Sequence, residues 1–183
     1  MKKGFVILIA ILLIAGFFMT TYNGLIDLSE SVDNSWAQVE NVLKQRADLI
    51  PNLVETVKGY ADHESEVFIK VTEARSKVMK ARTPEEYAEA NEQLDRAMVD
   101  INAVAEAYPD LKANENFLSL QAELTSIENK LATERLRYND NVKVYNVEVK
   151  KFPKKIFANI LGFGPREYFQ INEADKEAPK VNF

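Results

Sequence analysis

Residues 4–19 carry no polar side chain, and Thr20, Thr21 and Tyr22 lengthen the run before Asn23 and Asp27 end it. From Gly4 to Tyr22 that is 19 positions, close to the ~20 that cross ~30 Å of hydrocarbon as a helix. A segment this apolar is buried in a core, inserted in lipid or removed. Removal as a signal peptide calls for small residues in an A-x-A-like pattern after the run. Here Ala15 and Gly16 lead into Phe17, Phe18 and Met19, which favours a retained anchor. Tyr22 then falls at the membrane interface, where an amphipathic ring is stable. Lys2 and Lys3 precede the run, and the next basic residue is Lys44, after Asp27, Glu30 and Asp33. That bias predicts a single pass through the cell membrane, a cytoplasmic amino terminus and an extracytoplasmic body.

Beyond the run the sequence is periodic. Leu25, Leu28, Val32, Trp36, Val39, Leu43, Arg46, Ile50, Leu53, Val57 and Tyr60 follow one another in steps of three or four. So do Phe117, Leu120, Leu124, Ile127, Leu131, Glu134, Tyr138, Val142, Tyr145, Val149 and Phe152. This is the helical period, not the alternation of a strand. Pro51 breaks the backbone bonding but not the stripe, so one kinked helix is expected over residues 25–61. A third stripe runs through Val67, Phe68, Val71, Ala74 and Val78. Thr83-Pro84-Glu85-Glu86 then reads as a capped start for a helix that stops before Tyr108-Pro109. The fold class expected is all-α: a membrane-anchored up-and-down four-helix bundle, with two long helices and a shorter hairpin between them. Its parts are an anchor (1–24), the bundle (25–152) and a carboxyl-terminal tail (153–183).

In that topology the first long helix, about 55 Å, rises from the membrane and the last, about 60 Å, returns to it. The tail therefore begins near the bilayer. The stretch where bundle meets tail mixes Lys150, Lys151, Phe152, Lys154, Lys155, Phe157 and Phe163, a composition suited to headgroups. Residues 27–134 carry 11 basic and 22 acidic side chains, whereas residues 135–183 carry 10 and 6. Tyr22 and these seven residues form the candidate membrane surface. The competing reading is that the Gly162–Pro165 stretch packs on the first helix.

Several chemistries are excluded by count. There is no Cys, hence no disulfide framework and no thiolate nucleophile or ligand. A single His, His63, cannot build the paired Glu-x-x-His motifs of a di-iron bundle; it reads as part of an exposed interhelical turn. No cofactor, metal site or catalytic constellation is expected, and the acidic body would repel nucleic acid. Arg46 and Glu134 are the charged interruptions of the two long stripes. They either pair inside the bundle and fix its register or bend out to solvent.

Three stretches resemble the bacterial LemA family. The first is Arg46-Ala47-Asp48-Leu49-Ile50-Pro51-Asn52-Leu53-Val54-Glu55-Thr56-Val57-Lys58-Gly59-Tyr60 with His63-Glu64. The second is Tyr108-Pro109-Asp110-Leu111-Lys112-Ala113 with Asn116-Phe117-Leu118 and Leu120-Gln121-Ala122-Glu123-Leu124. The third is Arg137-Tyr138-Asn139-Asp140, Tyr145-Asn146, Phe152-Pro153, Gly162-Phe163 and Tyr168-Phe169. The resemblance implies a single amino-terminal span, an all-helical bundle, no established enzymatic activity, and association with envelope proteins, a membrane protease among them. The expectation is a non-enzymatic envelope scaffold or adaptor. The alternative is a lipid-surface module that touches anionic headgroups through its tail. Long amphipathic helices can also pair between chains, giving a homo-oligomer.

Overall fold

The computed structural model describes residues 2–170; residues 171–183 of the expected tail lie outside them. Every regular element among the described residues is helical: α1 (Lys2–Lys58), α2 (Ser65–Lys80), α3 (Pro84–Ala107), α4 (Pro109–Lys112), α5 (Glu115–Lys150) and α6 (Lys154–Leu161). The chain divides into two compact units. Among the described residues, one comprises residues 2–37 with Leu136–Tyr168; the other comprises Gln38–Arg135 with Phe169 and Gln170.

The second unit buries the predicted stripes. Val39, Leu43, Ile50, Leu53 and Val57 of α1 lie in one core with Phe68, Val71 and Val78 of α2, Leu94 and Ile101 of α3, and Phe117, Leu124 and Leu131 of α5. α2 and α3 pack on each other as a hairpin. Its turn is closed as the sequence requires: Glu86 N donates to Thr83 Oγ1 at 3.2 Å and Pro84 takes the first helical position. The Glu86 carboxylate reaches back to the Arg82 N–H at 2.8 Å, one residue beyond the capping residue itself. Asn114 caps α5, its Oδ1 accepting from Phe117 N at 3.0 Å.

α1 continues through Pro51 without a break. A proline has no N–H, so the carbonyl four residues earlier loses its helical donor. That carbonyl belongs to Ala47, which is fully buried. Arg75 of α2 supplies the missing bond, its Nε donating to Ala47 O at 2.8 Å. The guanidinium also lies 3.7 Å from Asp48. A buried carbonyl without a partner is costly, and a side chain from a neighbouring helix removes that cost.

The first unit joins the earlier part of α1 to the later part of α5. Leu25 and Val32 are buried from α1, and Tyr138, Val142, Tyr145 and Val149 from α5. Trp36 and Tyr138 meet with ring centroids 5.3 Å apart. The helix runs on from the apolar stretch through Asn23 and Asp27, since nothing there forbids helical backbone. One sequence expectation needs correction. The stripe overshoots its helices: Tyr60 and Phe152 fit the period, yet they lie past Lys58 and Lys150 and are 42% and 82% exposed.

Candidate functional site

The basic aromatic segment after α5 is partly helical. Pro153 opens α6, and Gly162 closes it at φ +79°, a left-handed conformation that a residue with a Cβ adopts only with strain. Phe163 N then donates to Ala158 O at 2.9 Å. Ala158 is buried and Phe157 half-buried. The Phe157 ring lies 5.7 Å from Phe17 and 5.5 Å from Phe18. Phe163, also half-buried, stands edge-on to Tyr22 at 6.1 Å. Three of the nominated surface aromatics, Tyr22, Phe157 and Phe163, are thus engaged in contacts between α1 and the α6 region.

The segment that follows is held by its backbone. Arg166 N donates to Asn146 Oδ1 at 2.7 Å, and Asn146 Nδ2 donates to Arg166 O at 2.8 Å. Tyr138 Oη donates to Glu167 O at 2.8 Å. Burial lifts the Tyr138 phenol to about 12, with the Arg166 charge opposing. The Arg166 guanidinium reaches Ser29 Oγ at 3.2 Å and Asp33 at 3.3 Å. Arg166 and Glu167 thus bind α5 through their backbone and α1 through the Arg166 side chain.

The nominated lysines differ in their surroundings. Lys151 and Lys154 both hydrogen-bond to Glu148. Those bonds hold its carboxyl below the usual range, against the opposing effect of burial. Lys150 and Lys155 are exposed, and no ion pair to either occurs among the described residues. Phe152 is exposed, with Ile156 and Ile160 beyond it.

In the second unit Arg46 is buried. Its Nη1 donates to Asn91 Oδ1 at 2.8 Å and lies 2.6 Å from Asp95 Oδ1, the latter a contact of charges rather than an aligned hydrogen bond. Asn91 Nδ2 donates to Asp95 Oδ2 at 3.0 Å. Arg46 Nε has no partner among the described residues. Arg135 of α5 stacks over Phe169, 4.7 Å to the ring centroid. Burial lowers its pKa and the Asp95 charge opposes that. Glu134, beside it in the sequence, is half-buried. The stripes singled out Arg46 and Glu134 but not Asn91, Asp95 or Arg135. The signal for Tyr138 and Asn146 was there, since both are polar groups at buried stripe or adjacent positions within the third resemblance motif.

His63 is exposed in the turn between α1 and α2. Among the described residues no three metal-capable side chains cluster. A groove of about 200 Å³ on the α2–α3 hairpin is lined by charges including Lys70, Glu73 and Asp100; Lys70 lies 3.0 Å from Glu66 and 3.9 Å from Asp100. A groove of about 350 Å³ has Val54 and Phe68 in its wall.

The family model described as the LemA family matches residues 35–183. Magnetosome protein MamQ 2 of Paramagnetospirillum magneticum is 26% identical over 195 residues, covering 91% of this chain and 72% of that protein. Magnetosome protein MamQ of Magnetospirillum gryphiswaldense is 23% identical over the same shares. Protein LemA of Metamycoplasma hominis is 26% identical over 180 residues, covering 96% of this chain and 82% of its own length.

Proposed function

The chain belongs to the LemA family, and from that premise we propose that it is a membrane-anchored, non-enzymatic helical scaffold of the cell envelope that acts by binding another envelope protein. The observation that most supports this is the outer surface of early α1. Phe5, Leu13 and Ile14 are 65%, 69% and 63% exposed, whereas most apolar residues of the two long stripes are buried or half-buried. Side chains this apolar and this uncovered call for lipid. The four longer helical segments of the second unit, from α1, α2, α3 and α5, are read as a four-helix bundle, on the strength of their shared core. Within it, Glu134 is proposed as a further acidic neighbour of Arg46. The names of the relatives carry no reaction, and among the described residues no metal-capable side chains cluster.

The test has two arms. Alkaline carbonate should leave the intact protein in the membrane pellet, and protease added to spheroplasts should digest its body, with the amino terminus cytoplasmic. Crosslinking in native membranes should then trap a discrete partner. Release into the supernatant would sink the anchor; recovery of lipid and self alone would sink the scaffold.

A second reading has its own support. The α6 region combines cationic and apolar exposure and touches the end of the apolar run, which suits a module that also contacts anionic headgroups. Charge reversal at Lys150, Lys151, Lys154 and Lys155 should weaken salt-sensitive association of the protein with anionic bilayers.

A further inference from the structure

The inward side of α6 is fixed: Ala158 is buried and Phe157 lies against Phe17 and Phe18. Phe17 and Phe18 belong to the apolar run, and at their level α1 leaves Met19 65% exposed. The outward side of α6 is therefore set beside a stretch read as lipid-covered. On it Ile156 and Ile160, one turn apart, are 50% and 73% exposed, and Phe152 precedes them. Around the helix from these isoleucines come Lys155 and Asn159, both exposed. Lys151 and Lys154 share Glu148, whereas Lys150 and Lys155 are exposed and make no ion pair among the described residues. An apolar edge, a cationic edge and a seat on the apolar run together define an interfacial helix.

We propose that α6 lies in the plane of the membrane interface, with Phe152, Ile156 and Ile160 inserted among acyl chains and Lys150 and Lys155 at the phosphates. This rests on the anchor and lipid-surface readings above and adds to them a depth: the contact is hydrophobic insertion ~5–10 Å below the headgroups, not charge attraction alone. The occupant of the exposed face is lipid, because the helix is docked on Phe17 and Phe18 of the apolar run that is itself read as lipid-covered.

Because the chain has no cysteine, single sites can be labelled in the full-length protein. Ile156→Cys and Ile160→Cys, each carrying an environment-sensitive fluorophore, are compared with Leu12→Cys in the apolar run and Glu128→Cys on the exposed surface of α5. The protein is reconstituted at low density in vesicles of phosphatidylcholine and phosphatidylglycerol. Expected at positions 156 and 160 are blue-shifted emission, quenching by acyl-chain nitroxides, and iodide quenching several-fold weaker than at position 128. If Leu12 is quenched from the acyl chains while 156 and 160 respond to iodide as position 128 does, the inference is overturned and the anchor stands. Shielding of 156 and 160 from both quenchers means that protein, not lipid, covers the face, and also overturns it. If Leu12 itself responds to iodide, the anchor reading fails and takes the inference with it.

Discussion

Arg75 completes the hydrogen bonding of a helix it does not belong to: its Nε–H occupies the Ala47 carbonyl that Pro51 leaves without a donor. The bond makes the accommodation of Pro51 in α1 and the docking of α2 one interaction. Arg75→Ala orphans a buried acceptor and should cost about 1–3 kcal/mol. In a Pro51→Ala background the backbone amide is restored, and the same truncation should cost under about 1 kcal/mol. Equal costs in the two backgrounds, read from denaturant unfolding, would show that Arg75 acts through Asp48 instead.

The buried charge of Arg46 is answered first by Asp95. Removing one partner of a wholly buried pair costs roughly 3–5 kcal/mol. The Asp95 side chain is 46% exposed, so Asp95→Ala should cost about 2 kcal/mol once solvent screening is allowed for. A double-mutant cycle between Arg46 and Asp95 should give larger coupling than one between Arg46 and Glu134. The reverse order would promote the pairing that the two stripes suggested.

Asn146→Ala removes both bonds to the Arg166 peptide. The segment Phe163–Glu167 should lose amide-exchange protection, and trypsin should cut after Arg166 faster than in the parent. Unchanged cleavage would mean that Tyr138 and the Arg166 side chain suffice.

Alkaline pH should weaken the fold. Burial raises both Tyr138 and Tyr87 to about 12, above the usual value of about 10. Between those values the unfolded chain has released phenolic protons that the native chain retains. Stability is therefore whole below about pH 10 and declines as pH rises toward about 12. Tyr87→Phe and Tyr138→Phe should each flatten this decline in unfolding midpoints measured across the range. A slope unchanged in both variants would refute the assignment.

The helices were legible because their apolar stripes repeat over many turns, and the α2–α3 boundary because Thr83, Pro84 and Glu86 each favour it for a separate physical reason. α6 was not: eight residues give too few repeats to register a period. The partners of Arg46 were hidden for a different reason. Asn91 and Asp95 meet it across helices, and how far one helix is rotated toward another is not written in either stripe. Asn146 was visible only as part of a motif, because an amide that grips a distant peptide group has no local pattern. Ends of helices were overestimated where apolar residues continued past the last helical residue, as at Tyr60 and Phe152.

Since Asn146 holds the main chain at position 166 and ignores what hangs from it, the two positions should drift at different speeds over generations. A comprehensive substitution scan ought to find 146 brittle and 166 forgiving, with tolerance there limited only by the reach to Ser29 and Asp33. The arginine would then be an ornament a lineage can trade away, while the asparagine is its inheritance.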